Sequence, residues 1–349
     1  MILSMMPKKQ ELVCGRVQER WYWISALLLV LPYILWAGFR TSGGDTGGYR
    51  RAFLGASSAL TDIPGILFSG EKDPGFTALM TLAKGLGIQD YQHFFLLVAA
   101  LQMLCIVNTF RRYSGDFWFC IFLFAASTDF ISWMHNGMRQ FIAVCITFAA
   151  FDLLVKRRFL WFALAVLLAA QIHGSAVIML PLAYIMHGKV LNRKTMLTII
   201  GAVLCIPFID RFTPILENLM ADTQYGDVLN NEIWAGDDGT NVLRVLVYSA
   251  PALMVFFGRR YVANSDDPAI NLCINASIIT MAVYLVSMVT SGVYVGRLPI
   301  YTTLHGYMVL PWIIDQVFER SSAKLIKLLM IGCYFGFFYY QMGIAWDQL

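Results

Sequence analysis

The chain has 349 residues, 58% of them hydrophobic and only 14% charged, with a formal net charge of +4. Its mean hydropathy is +0.62. A soluble domain carries about 25% charged residues, so the composition excludes an ordinary soluble protein and predicts an all-α polytopic membrane protein. The small basic excess does not point to nucleic acid, because the basic clusters lie between apolar runs, where membrane orientation accounts for them.

The first predicted element is an apolar run over 21–39, preceded by a basic leader with Lys8, Lys9, Arg16 and Arg20. Arg40-Thr41-Ser42 offers no small-x-small cleavage site, so the run reads as a signal anchor and not as a cleaved signal peptide. An outer segment over 40–74 follows, with Gly43-Gly44-Asp45-Thr46-Gly47-Gly48-Tyr49, then Arg50, Arg51 and Glu71. Its glycines resemble a phosphate loop in composition, but no Gly-Lys-Ser/Thr follows, and Asp45 equally suits a turn.

Over 75–87, Phe76, Leu79, Met80, Ala83 and Leu86 recur at helical spacing. Such a helix is about 20 Å long, too short for a hydrocarbon core of ~30 Å. It is predicted to lie at the outer interface or to re-enter there. Glu71 and Asp73 ahead of Pro74 match the acidic start of that helix.

Further apolar runs cover 94–110, 117–133, 141–155 and 272–289, each long enough, or nearly so, to span. The apolar-rich stretch 159–186 poses a choice. One helix there would be about 42 Å long and would carry Lys189, Arg193 and Lys194 to the outside. Two short spans meeting near His173-Gly174-Ser175 keep them inside, and two are expected. The total is about eleven crossings in a single membrane domain over 1–349, with the N-terminus cytoplasmic and the C-terminus outside. Prolines at 32, 181, 207, 251, 299 and 311 imply kinked helices. A second long outer loop, 211–241, carries Asp222, Asp227, Glu232, Asp237 and Asp238 and reads as a solvated surface.

Charge supports this orientation. The basic loops are 1–20, Arg111-Arg112, 156–158, 189–194, Arg259-Arg260 and 320–327. With these inside, 17 of the 26 basic and 8 of the 22 acidic residues are cytoplasmic, against 9 and 14 outside. That is the asymmetry expected of short loops flanking spans. Asp152 and Asp315, near inner span ends, are expected to pair with local basic groups. The seven cysteines are odd in number and form no Cys-x-x-Cys, so neither a disulfide framework nor a zinc site is indicated.

On this topology Arg40, Asp45, Arg50, Glu71, Arg139, His173, Arg244 and Arg297 share the outer face. An ionisable residue at a membrane face is a functional candidate. Arginine suits phosphate because its planar fork stays charged and bonds bidentately. Arg139, Arg244 and Arg297, at or near outer span ends, are therefore the candidate ligands for a lipid diphosphate, although arginines at span ends also snorkel to headgroups. His173 and Asp45 are the candidate proton acceptors; a lone histidine also serves as a packing residue. Glu71, Arg50, Asn136, Gln140 and Tyr301 are supporting candidates. Aromatics such as Trp133, Trp234, Tyr248 and Tyr294 suit either sugar stacking or the interfacial belt. There is no Asp-x-Asp motif, and no metal or cofactor is expected.

The order of these signals resembles the EpsG-type branch of the Wzy-like polysaccharide polymerases. It runs from Gly44-Asp45-Thr46 and Tyr49, through Glu71 with Gly75-Phe76, to Met138-Arg139-Gln140 with Ala143. His173-Gly174-Ser175-Ala176 with Pro181 follows, then Gly239 with Arg244, and Arg297 with Tyr301. The resemblance covers roughly 40–305. Gly174 stands where a basic residue is expected after the histidine, and Asp73-Pro74 intrudes between Glu71 and Gly75. The resemblance implies a metal-independent membrane glycosyltransferase of GT-C-like architecture in the bacterial cytoplasmic membrane. Its implied partners are undecaprenyl-diphosphate-linked glycan donor and acceptor, membrane lipid and a chain-length regulator. A flippase for the same lipid, or a glycan ligase, is the alternative. A flippase is usually built from paired halves, and no internal repeat is evident.

Overall fold

In the computed structural model of the chain, residues 8–13, 16–208, 239–263, 265–290, 292 and 295–345 are described. The acidic residues singled out in the 211–241 loop, together with Trp234 and Tyr294, lie outside them. Helices dominate. Tyr91–Tyr113, Met138–Val155, Pro268–Ser287 and Arg320–Ile344 are long and apolar enough to cross a membrane. Shorter apolar helices occupy Trp23–Gly38, Phe117–Ala126, Phe159–Ile172, Gly174–Met186 and Val242–Phe257. The chain forms two compact units, one made of Met1–Leu180 with Arg320–Leu349, the other of Pro181–Glu319.

In the first unit, Trp23–Gly38 and Tyr91–Tyr113 pair antiparallel. At one end Arg20 Nη1 donates to the Arg111 carbonyl at 2.8 Å, and Arg111 Nη1 donates to the Trp21 carbonyl at 3.1 Å. At the other end Gln92 Nε2 donates to the Phe39 carbonyl at 3.2 Å. The pair closes tightly because Gly38 has no side chain; a Cβ there would lie 2.8 Å from the Leu96 Cα. Everything from 40 to 90 therefore leaves and rejoins the bundle at the same end. The 12-residue helix Pro74–Gly85 belongs to that excursion, as its length requires. Its first turn abuts the last turn of Phe159–Ile172, where a Cβ on Gly75 would come within 2.8 Å of the Gln171 backbone.

The opposite end of this unit gathers the basic clusters. Asp152 pairs with Arg112 and Lys156, each at 2.8 Å. Lys327, on the last helix, pairs with Asp116 at 3.1 Å. Residues far apart in sequence, all from loops read as one-sided by charge, meet at one end of the unit.

Two features depart from the sequence reading. Residues Lys8–Val13 and Arg16–Trp21 form an antiparallel pair, with Lys8 opposite Trp21 and Glu11 opposite Gln18, so the unit is not purely helical. The two-residue separation is hairpin spacing, hidden beneath the charge of the leader. The run 117–133 is also not one helix. Phe117–Ala126 ends, Thr128 takes a left-handed conformation (φ 64°), and a π-helical turn covers Ser132–Asn136. Ser127, Thr128 and Asp129 are short polar residues of the kind that compete with the helix ladder by bonding to nearby backbone, and Thr128 Oγ1 does so, donating to the Ser127 carbonyl at 2.6 Å. By contrast, the expected break at His173 is present: that residue is extended (φ −157°, ψ 114°) between Phe159–Ile172 and the 3-10 turn Gly174–Ile178.

The second unit is built around Pro268–Ser287, buried along almost its whole length. It is apolar all round its circumference, as a core helix is. Its few polar groups are bonded inward: Thr280 and Thr302 share a hydroxyl bond of 2.7 Å. At its C-terminal end, the Thr240 N–H donates to the Ser287 carbonyl at 2.9 Å. That contact sets the start of Val242–Phe257 beside the end of Pro268–Ser287.

Candidate functional site

The end of the first unit opposite the basic clusters carries a connected set of charged and polar groups. Arg139 sits in the first turn of Met138–Ala149, entered through Gly137 after the π-helical turn. Its Nη1 donates to Asp73 Oδ2 at 2.9 Å. The two side chains differ in exposure: 37% for Arg139 and 4% for Asp73. The other carboxylate oxygen, Asp73 Oδ1, accepts the Gly174 N–H at 3.2 Å. The neighbouring His173 is buried, with Nδ1 2.7 Å from Ser175 Oγ. Asp73 thus joins the start of one helix to the turn that ends another.

Burial raises the Asp73 pKa above the ordinary carboxylate range, against the opposing pull of Arg139, the Gly174 N–H and Lys72. Tyr49 reaches the same arginine from the outer segment. Burial raises its hydroxyl, Arg139 opposes the shift, and Asp45 adds to it. Tyr49 packs edge-on against Phe76 of the short helix, ring centres 5.8 Å apart.

The glycine-rich segment is fixed against this cluster. Gly43 and Gly44 have φ of 87° and 51°, left-handed values that glycine adopts without strain. A Cβ on Gly44 would lie 3.2 Å from Asn136 Oδ1. Thr46–Gly55 then forms a helix with Asp45 at its cap position, exposed and making no side-chain cap bond. Arg40 anchors the segment from beneath. It is buried, donates from Nε to Thr46 Oγ1 at 3.1 Å and from Nη1 to the Ala37 carbonyl at 2.7 Å, and lies 4.3 Å over the Phe95 ring. Burial lowers its pKa to about 10, with Tyr49 and Asp45 opposing the shift, so it stays charged at neutral pH. His135, edge-on to Trp36, is lowered to about 4 by burial and by the Arg40 charge. It is a neutral packing residue at pH 7.

Of the sequence candidates, Arg139, His173, Asp45 and Asn136 therefore stand at one end of one unit. Gln140 is buried one position after Arg139. Arg50 is exposed and lies 5.0 Å over the Tyr91 ring. Glu71 is exposed, its N–H donating to Ser69 Oγ at 3.2 Å. The carboxylate that meets Arg139 is not Glu71 but Asp73, two residues on. Sequence reasoning treated Asp73 as an intruding helix start; the Asp-Pro pair gave no sign that its side chain turns elsewhere.

Arg244 and Arg297 belong to the second unit. Arg244 is in the first turn of Val242–Phe257, half-buried, 5.6 Å over the Tyr248 ring, which stacks on Tyr284 at 5.0 Å. Arg297 closes the 3-10 turn Val295–Arg297, and Tyr301, just beyond it, is 1% exposed. Both arginines lie at the end of that unit where Pro268–Ser287 terminates. Among the described residues, no three His, Cys, Asp or Glu side chains gather as a metal-holding group.

A chain of long apolar helices, with an ion-paired arginine and a histidine set at one end of one helical unit, is a helical membrane protein. The family can be named more closely. The EpsG family model matches residues 23–345, and the chain belongs to that family, which is associated with polysaccharide polymerisation. No curated protein and no solved structure matches the chain.

Proposed function

We propose that the chain polymerises undecaprenyl-diphosphate-linked oligosaccharide repeat units on the outer face of the bacterial cytoplasmic membrane. About eleven crossings in a GT-C-like arrangement, with a cytoplasmic N-terminus, would present the Asp45–Arg139–His173 end outward. The supporting observation is the state of Arg139: one edge of its guanidinium is held by Asp73, and 37% of its side chain is exposed. A fixed, accessible fork is suited to a diphosphate and needs no reorganisation as charge develops on the leaving group.

In the reaction, a hydroxyl oxygen of the acceptor sugar attacks the anomeric carbon of the donor. The bond from that carbon to the diphosphate oxygen breaks, and its electron pair leaves with the lipid diphosphate. His173 takes the hydroxyl proton, its ring oriented through Ser175. Asp45 is the second candidate for that step, ranked lower because it lies in a glycine-rich segment whereas His173 lies at the junction of two helices. Arg244 and Arg297 are candidate phosphate ligands in their own unit. The chemistry draws on positive side chains and requires no divalent metal.

The test is reconstitution with lipid-linked repeat units and separation of products by chain length. Wild-type protein is expected to build ladders, and correctly inserted Arg139→Ala and His173→Ala proteins to lose them. Normal ladders from both variants would remove this end of the unit from the site. Vesicles in which the wild type moves the lipid across the bilayer without extending it would establish a flippase instead.

A further inference from the structure

We infer that Asp73 is a positioning residue, which fixes the Arg139 guanidinium and the His173 turn in one geometry by accepting from both on separate carboxylate oxygens. The inference rests on the reading of Arg139 as the diphosphate ligand. Its basis is the departure of Asp73 from what its sequence position favours. An aspartate directly before a proline that opens a helix is suited to accept from the first free N–H groups of that helix, worth ~1 kcal/mol. Asp73 makes no such bond.

Its backbone is left-handed as well, at φ 53° and ψ 48°. Aspartate tolerates that conformation better than most residues with a Cβ, but the following proline disfavours it and pushes the preceding residue towards extended values. Nothing in the short helix repays this. What the strained backbone achieves is to aim the carboxylate away from its own helix, to Arg139, 66 positions on, and to Gly174, 101 positions on. Strain held at a site by its surroundings is the mark of a constraint that serves geometry.

Both carboxylate oxygens of Asp73 are already engaged, one by Arg139 and the other by the Gly174 N–H, so Asp73 does not itself meet a sugar or a phosphate. It acts through its two neighbours. It removes rotational freedom from a long side chain that must otherwise be ordered when the substrate binds. It also fixes the spacing between a cation on one helix and the turn with the proton acceptor on another.

Asparagine isolates this role. It tolerates the left-handed conformation, keeps an oxygen for the Gly174 N–H and removes the anion that holds Arg139. In reconstituted polymerisation, Asp73→Asn protein is expected to insert and melt as the wild type does. Its kcat/KM for the lipid-diphosphate donor should fall at least tenfold, through a higher KM, because the donor must then order the guanidinium, together with a lower kcat. A lesion that only lowered the fraction of folded protein would instead reduce kcat and leave KM unchanged.

Asp73→Asn activity within twofold of wild type, or a loss confined to kcat, overturns the inference. Failure of the underlying reading is distinguishable. Normal polymerisation by Arg139→Ala sinks the diphosphate site itself. A dead Arg139→Ala with a normal Asp73→Asn sinks only the positioning role.

Discussion

Arg20 closes the last turn of Tyr91–Tyr113: its Nη1 donates to the Arg111 carbonyl at 2.8 Å, and its Nη2 to the carbonyl of Arg112. The last carbonyls of a helix have no partner within it, and a cation there also meets the negative end of the macrodipole. The Arg20 side chain is 1% exposed, so these bonds are shielded from water. Arg111 returns the contact through the Trp21 carbonyl and lies 4.4 Å over the Trp23 ring. Removal of Arg20 leaves two buried carbonyls without it. Arg20→Ala is expected to cost about 1–3 kcal/mol and to lower the melting midpoint in detergent. Lysine, a single point donor in place of a fork, should recover only part. An unchanged midpoint for Arg20→Ala would mean the cap is dispensable.

That contact shows what was legible in the sequence. Charge bias alone puts Arg20 and Arg111-Arg112 on one face, provided that the 75–87 helix does not cross. The antiparallel pairing of Trp23–Gly38 with Tyr91–Tyr113 places them together for an independent reason. The break at His173 was legible too, because a single helix over 159–186 would have conflicted with Lys189, Arg193 and Lys194. Asp73 was not legible as a partner of Arg139. Its signal is local and reads as a helix start, whereas its bonds span 66 and 101 positions. No single-sequence pattern carries such a separation. The break at Thr128 failed for a related reason: an apolar run fixes burial, while three adjacent polar side chains decide whether the backbone continues.

Gly75 places the short helix. A Cβ there would lie 2.8 Å from both the carbon and the oxygen of the Gln171 peptide group. Because the neighbour is backbone, it cannot rotate aside. Gly75→Ala must push Pro74–Gly85 away from the end of Phe159–Ile172, two residues from His173. A cost of about 1–3 kcal/mol and a loss of polymerisation are expected. Gly332→Ala is the control. Nothing lies within 4 Å of a Cβ at that exposed position on the last helix, and alanine there should stabilise by up to ~1 kcal/mol. Equal melting midpoints for the two variants would contradict the close approach at Gly75.

Asp73 sets opposite pH dependences for stability and for activity. Its pKa is raised by burial, so the folded protein favours the protonated form relative to the unfolded chain. Its contribution to stability is greatest at low pH and is lost as pH rises through the raised value. The ion pair with Arg139 exists only above that value, so activity falls as pH drops through it. Asp73→Asn removes both dependences. Its melting midpoint should match wild type at acid pH, where the carboxyl is protonated in both folded and unfolded chains, and equal or exceed it at neutral pH. The acid limb of the wild-type rate profile should be weakened in the variant. A variant that is markedly less stable than wild type at neutral pH would contradict this assignment.

Asn275 is the polar residue that the second unit most depends on. It is 0% exposed in the middle of Pro268–Ser287. Its Nδ2 donates to the Met186 carbonyl at 2.9 Å and to the Lys189 carbonyl at 3.1 Å, and its Oδ1 accepts the Leu191 N–H at 3.2 Å. The segment 186–191 thereby fastens to the core helix through one side chain, with Leu191 itself left-handed at φ 53°. In an apolar interior, an unmade backbone bond costs roughly 1–3 kcal/mol, and three groups are affected. Asn275→Leu fills similar volume but bonds none of them, so a loss of at least ~3 kcal/mol is expected. Asn275→Asp keeps the acceptor for Leu191 but sets a carboxylate against two carbonyls, and should be no better. The measurement is the melting midpoint in detergent, followed by limited proteolysis at Lys189, where a loosened segment would be cut sooner. If Asn275→Leu melts with the wild type and resists cleavage equally, packing and not these bonds holds the segment, and the leucine would serve as well as the amide.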